Sequence, residues 1–135
     1  MKRFLVIFLV LVSKVVMAQN ENLCSGPSID GVKASLYING YKQIEVIKKS
    51  NKGDLVFGLS DTTYKIVSFE CILPCPADNL TLDIMSKTFY GFRIEAEDKF
   101  LRSMKIGDEI YFDCFIVEKN RIRYKISPLL FEVIK

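Results

Sequence analysis

Cysteine is the residue with the most reactive side chain in this sequence of 135 residues, which contains Cys24, Cys71, Cys75 and Cys114. Cys71 and Cys75 lie four residues apart in the motif Cys-Ile-Leu-Pro-Cys-Pro, and two soft thiolates at this spacing can chelate copper(I). An even number of cysteines in an exported chain is the usual mark of disulfide bonds. We therefore predict that the four cysteines form two structural disulfides. A metal-binding or redox pair of Cys71 and Cys75 is the alternative.

The positions of the cysteines favour one pairing among the three that are possible. Cys71 and Cys114 both fall at core-proximal positions of predicted strands, so we predict a bond between them. Cys24 then bonds to Cys75 and closes a loop worth about 3–4 kcal/mol on the chain-entropy model. The rival is a bond between Cys71 and Cys75, whose short loop would strain it and make it easy to reduce.

The absence of histidine removes the commonest general base and the commonest metal ligand. Catalytic triads and histidine-ligated metal sites of the usual kinds are therefore excluded, and no serine motif stands where its hydroxyl would be exposed. The paired acids Glu95 with Glu97 and Asp108 with Glu109 fall at strand or helix ends, where solvated carboxylates are expected. We predict that the protein is not an enzyme, has no catalytic residues and needs no cofactor.

The first 18 residues have the order of a secretory signal peptide. Lys2 and Arg3 precede an apolar run, residues 4–12, and small residues lead to a predicted cleavage after Ala18. The run is too short for a membrane-spanning helix, which needs about 20 residues, and Lys14 interrupts the segment. We predict an exported protein, periplasmic or extracellular, that does not stay in the membrane.

Cleavage at Ala18 would also change the charge of the protein. Cleavage would remove three of the 19 basic residues and none of the 16 acidic residues, and the mature chain would then be neutral. Nucleic acid is therefore not an expected partner. The basic cluster of Lys119, Arg121, Arg123 and Lys125 alternates with apolar residues and is interpreted as the solvated face of a strand.

From residue 31 to the end, apolar and polar residues alternate with a period of two between turn residues, which is typical of half-buried strands. The residues predicted to face inward on successive strands are Ala34, Leu36 and Ile38, Ile44 and Val46, Leu55, Phe57 and Leu59, Val67, Phe69, Cys71 and Leu73, Leu80, Leu82 and Ile84, Tyr90, Phe92, Ile94 and Ala96, and Leu129, Phe131 and Val133.

Two local irregularities are also expected. A short helix from about Asp98 to Lys105 has an acidic start, Phe100 and Met104 on one face, and Gly107 as its stop. In a regular strand, Ile110 and Phe112 would face one side and Phe115 and Val117 the other. A β-bulge near residues 113–114 would bring both pairs into the core.

These elements predict an all-β fold, a sandwich or barrel of about eight or nine short antiparallel strands. The predicted organisation is a signal peptide over residues 1–18, an N-terminal extension over 19–30 and a single domain over 31–135.

Residues 64–135 resemble the C-terminal domain of GldM, a protein of the gliding-motility and type IX secretion motor. The resemblance lies in the order and spacing of four pieces, residues 64–69, 100–105, 107–112 and 126–131, of which Gly-Asp followed by an aromatic strand is the most specific. It implies an immunoglobulin-like β-sandwich, a bacterial cell-envelope setting and a role in protein contacts. The Gly-rich hairpin expected after the Gly-Asp strand is missing, the cysteines are not part of the pattern, and no functional residue of that family carries over.

Three functions therefore stand as hypotheses. The first is a non-enzymatic binding or structural module that contacts another cell-envelope protein. The second is a copper-binding or redox protein that uses Cys71 and Cys75, whose spacing is similar to the copper loop of Sco-type chaperones, although the distant histidine and α/β fold of that family are lacking. The third is a barrel that holds a small apolar ligand, lined by Tyr90, Phe92, Phe112 and Phe131.

Overall fold

The computed structural model describes Cys24, residues 26–73 and residues 85–135. The predicted signal peptide and the predicted strand with Leu80, Leu82 and Ile84 lie outside these residues. The described elements are β1 (Ala34–Ile38), β2 (Tyr41–Gln43), β3 (Val46–Lys48), β4 (Leu55–Leu59), β5 (Lys65–Leu73), β6 (Met85–Tyr90), β7 (Arg93–Ile94), α1 (Lys99–Arg102), β8 (Glu109–Lys119), β9 (Ile122–Ile126) and β10 (Leu129–Ile134).

The strands form two sheets. The smaller sheet has the order β2-β1-β4-β7, and the larger has the order β3-β10-β8-β5-β6, with β9 also paired to β8. All pairs between these strands are antiparallel except β3 with β10, which is parallel. The prediction of an all-β sandwich with one short helix is confirmed.

Aromatic side chains join the two sheets in the core. The ring of Phe57, from the smaller sheet, lies 4.7 Å from Phe69, 5.0 Å from Phe112 and 5.3 Å from Phe115, all from the larger sheet. Such ring pairs are stabilising beyond the area they bury. The apolar interior between the sheets is therefore continuous from one sheet to the other.

The β1–β2 hairpin follows directly from the sequence. Asn39 and Gly40 have φ values of 52° and 81°, and these two positive angles are the signature of the tight hairpin turn that an Asn-Gly pair favours. The predicted inward positions of Ile44 and Val46 are wrong. Glu45 has a φ of 59° and takes the chain into β3 on the other sheet, which leaves Ile44 exposed and Val46 half-buried, and buries Ile47.

The predicted bulge in β8 is confirmed. The pairing of β8 with β5 changes register between the pairs Ser68–Ile116 and Glu70–Asp113, where β8 contributes one extra residue. Ile110, Phe112, Phe115 and Val117 are all buried as a result.

A second bulge, in β5, was not predicted. The register also changes between Ile66 and Ser68, so Val67 is the extra residue and is only half-buried. Ile66 takes the core position that alternation assigns to Val67.

The predicted inward positions of Tyr90, Phe92 and Ala96 are also wrong. β6 ends at Tyr90, and Gly91, with a φ of 92°, turns the chain into the two-residue β7. The turn resets the alternation, so Phe89 and Ile94 are buried while the other three residues are exposed.

The helix α1 lies where it was predicted but is shorter. The Asp98 side chain accepts a hydrogen bond from the Phe100 amide at 2.8 Å, which caps the first turn. Phe100, Leu101 and Met104 are buried against the sandwich, as a helix of this length requires. No helix within the described residues is long and apolar enough to cross a membrane.

Candidate functional site

The structure contains a disulfide between Cys24 and Cys114, with the two Cα atoms 5.5 Å apart. The predicted bonds of Cys71 with Cys114 and of Cys24 with Cys75 are therefore wrong. The β8 bulge is the physical reason: Cys114 has a φ of 54° and turns away from the core face that Phe112 and Phe115 occupy. It lies instead beside Ser68 and Glu70 on the outer face of the larger sheet, where Cys24 reaches it.

Cys71 carries a free thiol inside the core. Its position on the same face as Phe69 and Leu73 confirms the predicted inward orientation, and its exposed fraction is 0%. Burial raises the pKa of the Cys71 thiol, and the charge of Asp98 adds to this effect. The thiolate, which is the form that binds copper or attacks a disulfide, is therefore strongly disfavoured. Cys75, the other half of the proposed pair, lies outside the described residues.

The four aromatic residues proposed to line a ligand cavity do not lie together in one. Phe112 and Phe131 are packed in the core with their ring centroids 5.8 Å apart. Tyr90 and Phe92 are exposed at 74% and 53% and belong to the surface at the end of β6.

One of the paired acids differs from its predicted environment. Asp108 was expected in solvent, but it is 94% buried. Its carboxylate accepts a hydrogen bond from the Lys105 amide at 2.8 Å, which closes the turn before β8. Glu95, Glu97 and Glu109 are exposed.

The predicted basic cluster lies on and around β9. Lys119 stands over the Tyr64 ring at 4.9 Å, and Arg123 forms an ion pair with Glu118 at 3.8 Å. Arg121 and Arg123 are exposed and Lys125 is half-buried. These contacts are those of a solvated strand face, as the sequence indicates.

β6 is the last strand in the order of the larger sheet. Among the residues that the structure describes, β6 is hydrogen-bonded to one strand only, β5. Five of the six residues of β6 are exposed, all except Phe89, and Tyr90 at the end of the strand is one of them. Phe92, two residues after Tyr90, is also exposed. This surface, residues 85–92, is called the β6 edge below.

A charged contact holds the β6 edge to the helix. Lys87 donates to the Asp98 carboxylate at 2.9 Å, while the same carboxylate caps α1. Burial acts to raise the pKa of Asp98, but the hydrogen bonds from Lys87 and Phe100 and the charge of Lys87 outweigh it, so the pKa is lowered. The side chain of Lys87 therefore has a fixed anionic partner.

The described residues contain no group of three or more histidine, cysteine or carboxylate side chains placed to hold a metal ion. No protein-family model, curated protein or solved structure matches this chain.

Proposed function

We propose that this protein is a non-enzymatic interaction module of the bacterial cell envelope and that it contacts another envelope protein through the β6 edge. The observation that carries the proposal is the combination of a strand edge that has no partner among the described residues with two exposed aromatic side chains, Tyr90 and Phe92. An extended partner segment can add to such an edge by backbone hydrogen bonds. Aromatic side chains are enriched at protein interfaces.

β6 is the longest of the outer strands among the described residues. β6 has six residues, while β2, β3 and β7 have three, three and two, and the five-residue β9 is bridged to Ser28 at Lys125. A longer edge offers more backbone donors and acceptors to a partner strand, and natural sheets seldom leave such an edge open. The adjoining Met85 side chain is also exposed.

The Cys24–Cys114 bond supports the proposed location outside the cytoplasm, because disulfides persist in oxidising compartments. This agrees with the signal peptide predicted over residues 1–18, and we propose a periplasmic or extracellular site. The resemblance of residues 64–135 to the C-terminal domain of GldM points in the same direction, towards protein contacts in the envelope.

The alternatives have less support. A copper or redox function would need the Cys71 thiol, which is fully buried. A cavity for an apolar ligand would need the four aromatic residues proposed for it to face one another, and two of them lie on the surface.

Site-specific photo-crosslinking in the native host tests the proposal. A benzophenone amino acid replaces Ser86 or Thr88, which are exposed on β6, and as a control Glu132, which is exposed on the interior strand β10. We expect adducts with one envelope protein from the two β6 positions and none from position 132. The absence of adducts from both β6 positions in correctly exported, oxidised protein would contradict the proposal.

A further inference from the structure

A cleft of about 440 Å³ opens at one end of the sandwich, away from any residue discussed as a candidate so far. Its floor is apolar and is formed by buried side chains of both sheets and of α1 and the turn after it: Ile38, Ile47, Leu55, Leu101 and Met104. The volume falls in the range of pockets that bind ligands.

The rim of the cleft is basic. Lys48 is the last residue of β3, Lys49 and Lys52 come from the loop between β3 and β4, and Arg102 comes from α1. All four side chains are exposed, and no carboxylate lines the cleft. Glu95 and Glu97, on either side of the lining residue Ala96, are not part of the lining.

The segment that carries the three lysines, residues 48–52, has a defined shape. The Lys49 amide donates to the Ile134 carbonyl at 2.7 Å, and the Asn51 amide donates to the Lys48 carbonyl at 3.0 Å to close a turn. The Lys49 ammonium donates to the Met104 carbonyl and so joins the loop to the segment after α1. Gly53 packs so closely on the Asn39 side chain that a Cβ atom would clash with it. Contacts at both ends of the loop therefore hold it over the floor.

None of the four cations forms an ion pair with a carboxylate of the described residues, and Lys49 already donates to the Met104 carbonyl. The ion pairs there are Lys87–Asp98, Arg93–Asp54 and Arg123–Glu118, so Lys48, Lys52 and Arg102 belong to none of them. Of the acids next to lining residues in the sequence, Asp54 is engaged by Arg93 and the Ala96 amide, whereas Glu95 and Glu97 are exposed and form none of these ion pairs. Lys48, Lys52 and Arg102 can therefore pair with an outside anion without breaking an ion pair of the described residues.

We propose that this cleft binds an acidic segment of a protein partner, whose carboxylates pair with Lys48, Lys52 and Arg102 while a short apolar side chain contacts the floor. The inference rests on the proposed role in protein contacts and assigns it a partner chemistry. Recognition of acidic motifs by clusters of cations is a recurrent mode, and complementary charge mainly gives specificity and a faster association.

The floor favours a peptide over a lipid. Each of its five residues is at least 93% buried, so the floor exposes little apolar surface to a long acyl chain. The spread of the cations over the end of β3, the β3–β4 loop and α1 suits several carboxylates along an extended chain.

Fluorescence anisotropy with a labelled short peptide in which glutamate alternates with leucine tests the inference on the exported, oxidised protein. We expect saturable binding that weakens as salt is raised to about 0.3 M. The variant Lys48→Gln/Lys52→Gln/Arg102→Gln should bind about tenfold more weakly, the scale expected for three partly exposed ion pairs. Amide chemical-shift changes on binding should lie in residues 47–55 and 99–104.

A charge-matched variant, Arg121→Gln/Arg123→Gln/Lys125→Gln, controls for net charge, and a peptide with glutamine in place of glutamate controls for the carboxylates. The inference is overturned if the control variant loses as much affinity as the cleft variant, or if the glutamine peptide binds equally well. It is also overturned if vesicles of anionic phosphatidylglycerol bind through the three cations and the acidic peptide does not.

The two proposals fail separately. If the acidic peptide does not bind but cross-links form at β6, the cleft assignment is overturned and the proposed function stands. If the peptide binds at the cleft and no β6 cross-link forms, the role of the β6 edge is overturned.

Discussion

Cys71 shows most clearly how the environment of one residue limits its chemistry. Its thiol lies in the core with Phe112 and Lys87 opposite it on the neighbouring strands, and its side chain is fully buried. A thiol behaves there as a small apolar group, and its reactivity is lost together with its exposure.

Substitution of Cys71 tests this environment. We expect Cys71→Ser to lower the free energy of unfolding by about 1–3 kcal/mol, because a buried hydroxyl without a partner is costly. Cys71→Ala should cost less, because it introduces no polar group. Urea denaturation of both variants provides the measurement. A serine variant as stable as the native protein would mean that water reaches position 71.

Asp98 has two roles that can be separated. It caps α1, and it pairs with Lys87. We expect Asp98→Ala to cost about 1 kcal/mol, because it removes the cap. Asp98→Asn keeps an acceptor for the Phe100 amide and loses the charge.

The lowered pKa of Asp98 gives this comparison a pH dependence. A carboxylate whose pKa is lower in the folded protein stabilises it above its unfolded pKa of about 3.9, and the stabilisation is lost as the pH falls through the folded value. Denaturation curves should therefore show the native protein more stable than Asp98→Asn near pH 7, with the difference shrinking towards pH 2. A difference that stays constant over this range would contradict the account of the Asp98 charge.

At the scale of elements, the β8 bulge determines which cysteines meet. It brings Phe115 and Val117 into the core and at the same time turns Cys114 to the outer face, within reach of Cys24. The segment after Cys24 is further held by backbone hydrogen bonds between Pro27 or Ile29 and Lys125 on β9. The disulfide and this short bridge together fasten the start of the described chain to the larger sheet.

We expect the double variant Cys24→Ala/Cys114→Ala to lose about 2–5 kcal/mol of unfolding free energy, the usual effect of removing a native disulfide from a small domain. Reduction of the native protein should lower the free energy of unfolding by a similar amount. Reduction of the double variant should not change it further. An unchanged denaturation midpoint would show that this bond does not constrain the chain.

The alternation of apolar and polar residues predicts where the strands lie more accurately than it predicts which side chains face the core. The hairpin turn at Asn39-Gly40, the cap at Asp98 and the β8 bulge each leave a local signal, and all three are present. The β5 bulge and the turn at Gly91 depend on pairing with distant strands, so the parity of Val67, Tyr90 and Phe92 could not be assigned locally. The cysteine pairing was wrong because it depends on which face a bulge presents.

At the scale of the whole molecule, the sandwich depends on the aromatic contacts between its sheets. We expect Phe57→Ala to cost about 3–5 kcal/mol, because the ring contacts three others from the opposite sheet. The matched control Phe92→Ala, at an exposed position, should change stability by less than about 0.5 kcal/mol. Equal losses in the two variants would contradict the assignment of core and surface.

The net charge of the whole molecule does not show how its charged side chains are distributed over the surface. The neutral charge predicted for the chain after cleavage gives no reason to expect an anionic partner, yet folding places Arg102 in the same cleft lining as Lys48, Lys49 and Lys52. The three lysines lie within residues 48–52 of the sequence. Their meeting with the arginine over an apolar floor depends on the packing of α1 against the sandwich, which composition does not encode.

The central claim is that a disulfide between Cys24 and Cys114 closes this fold while the thiol of Cys71 stays buried and unreactive. Peptide mapping by mass spectrometry of the purified, non-reduced protein, alkylated before and after denaturation, tests it most directly. The account predicts a Cys24–Cys114 cross-linked peptide, with Cys71 alkylated only after unfolding. A Cys71–Cys75 or Cys71–Cys114 cross-link, or alkylation of Cys71 in the native protein, would contradict it.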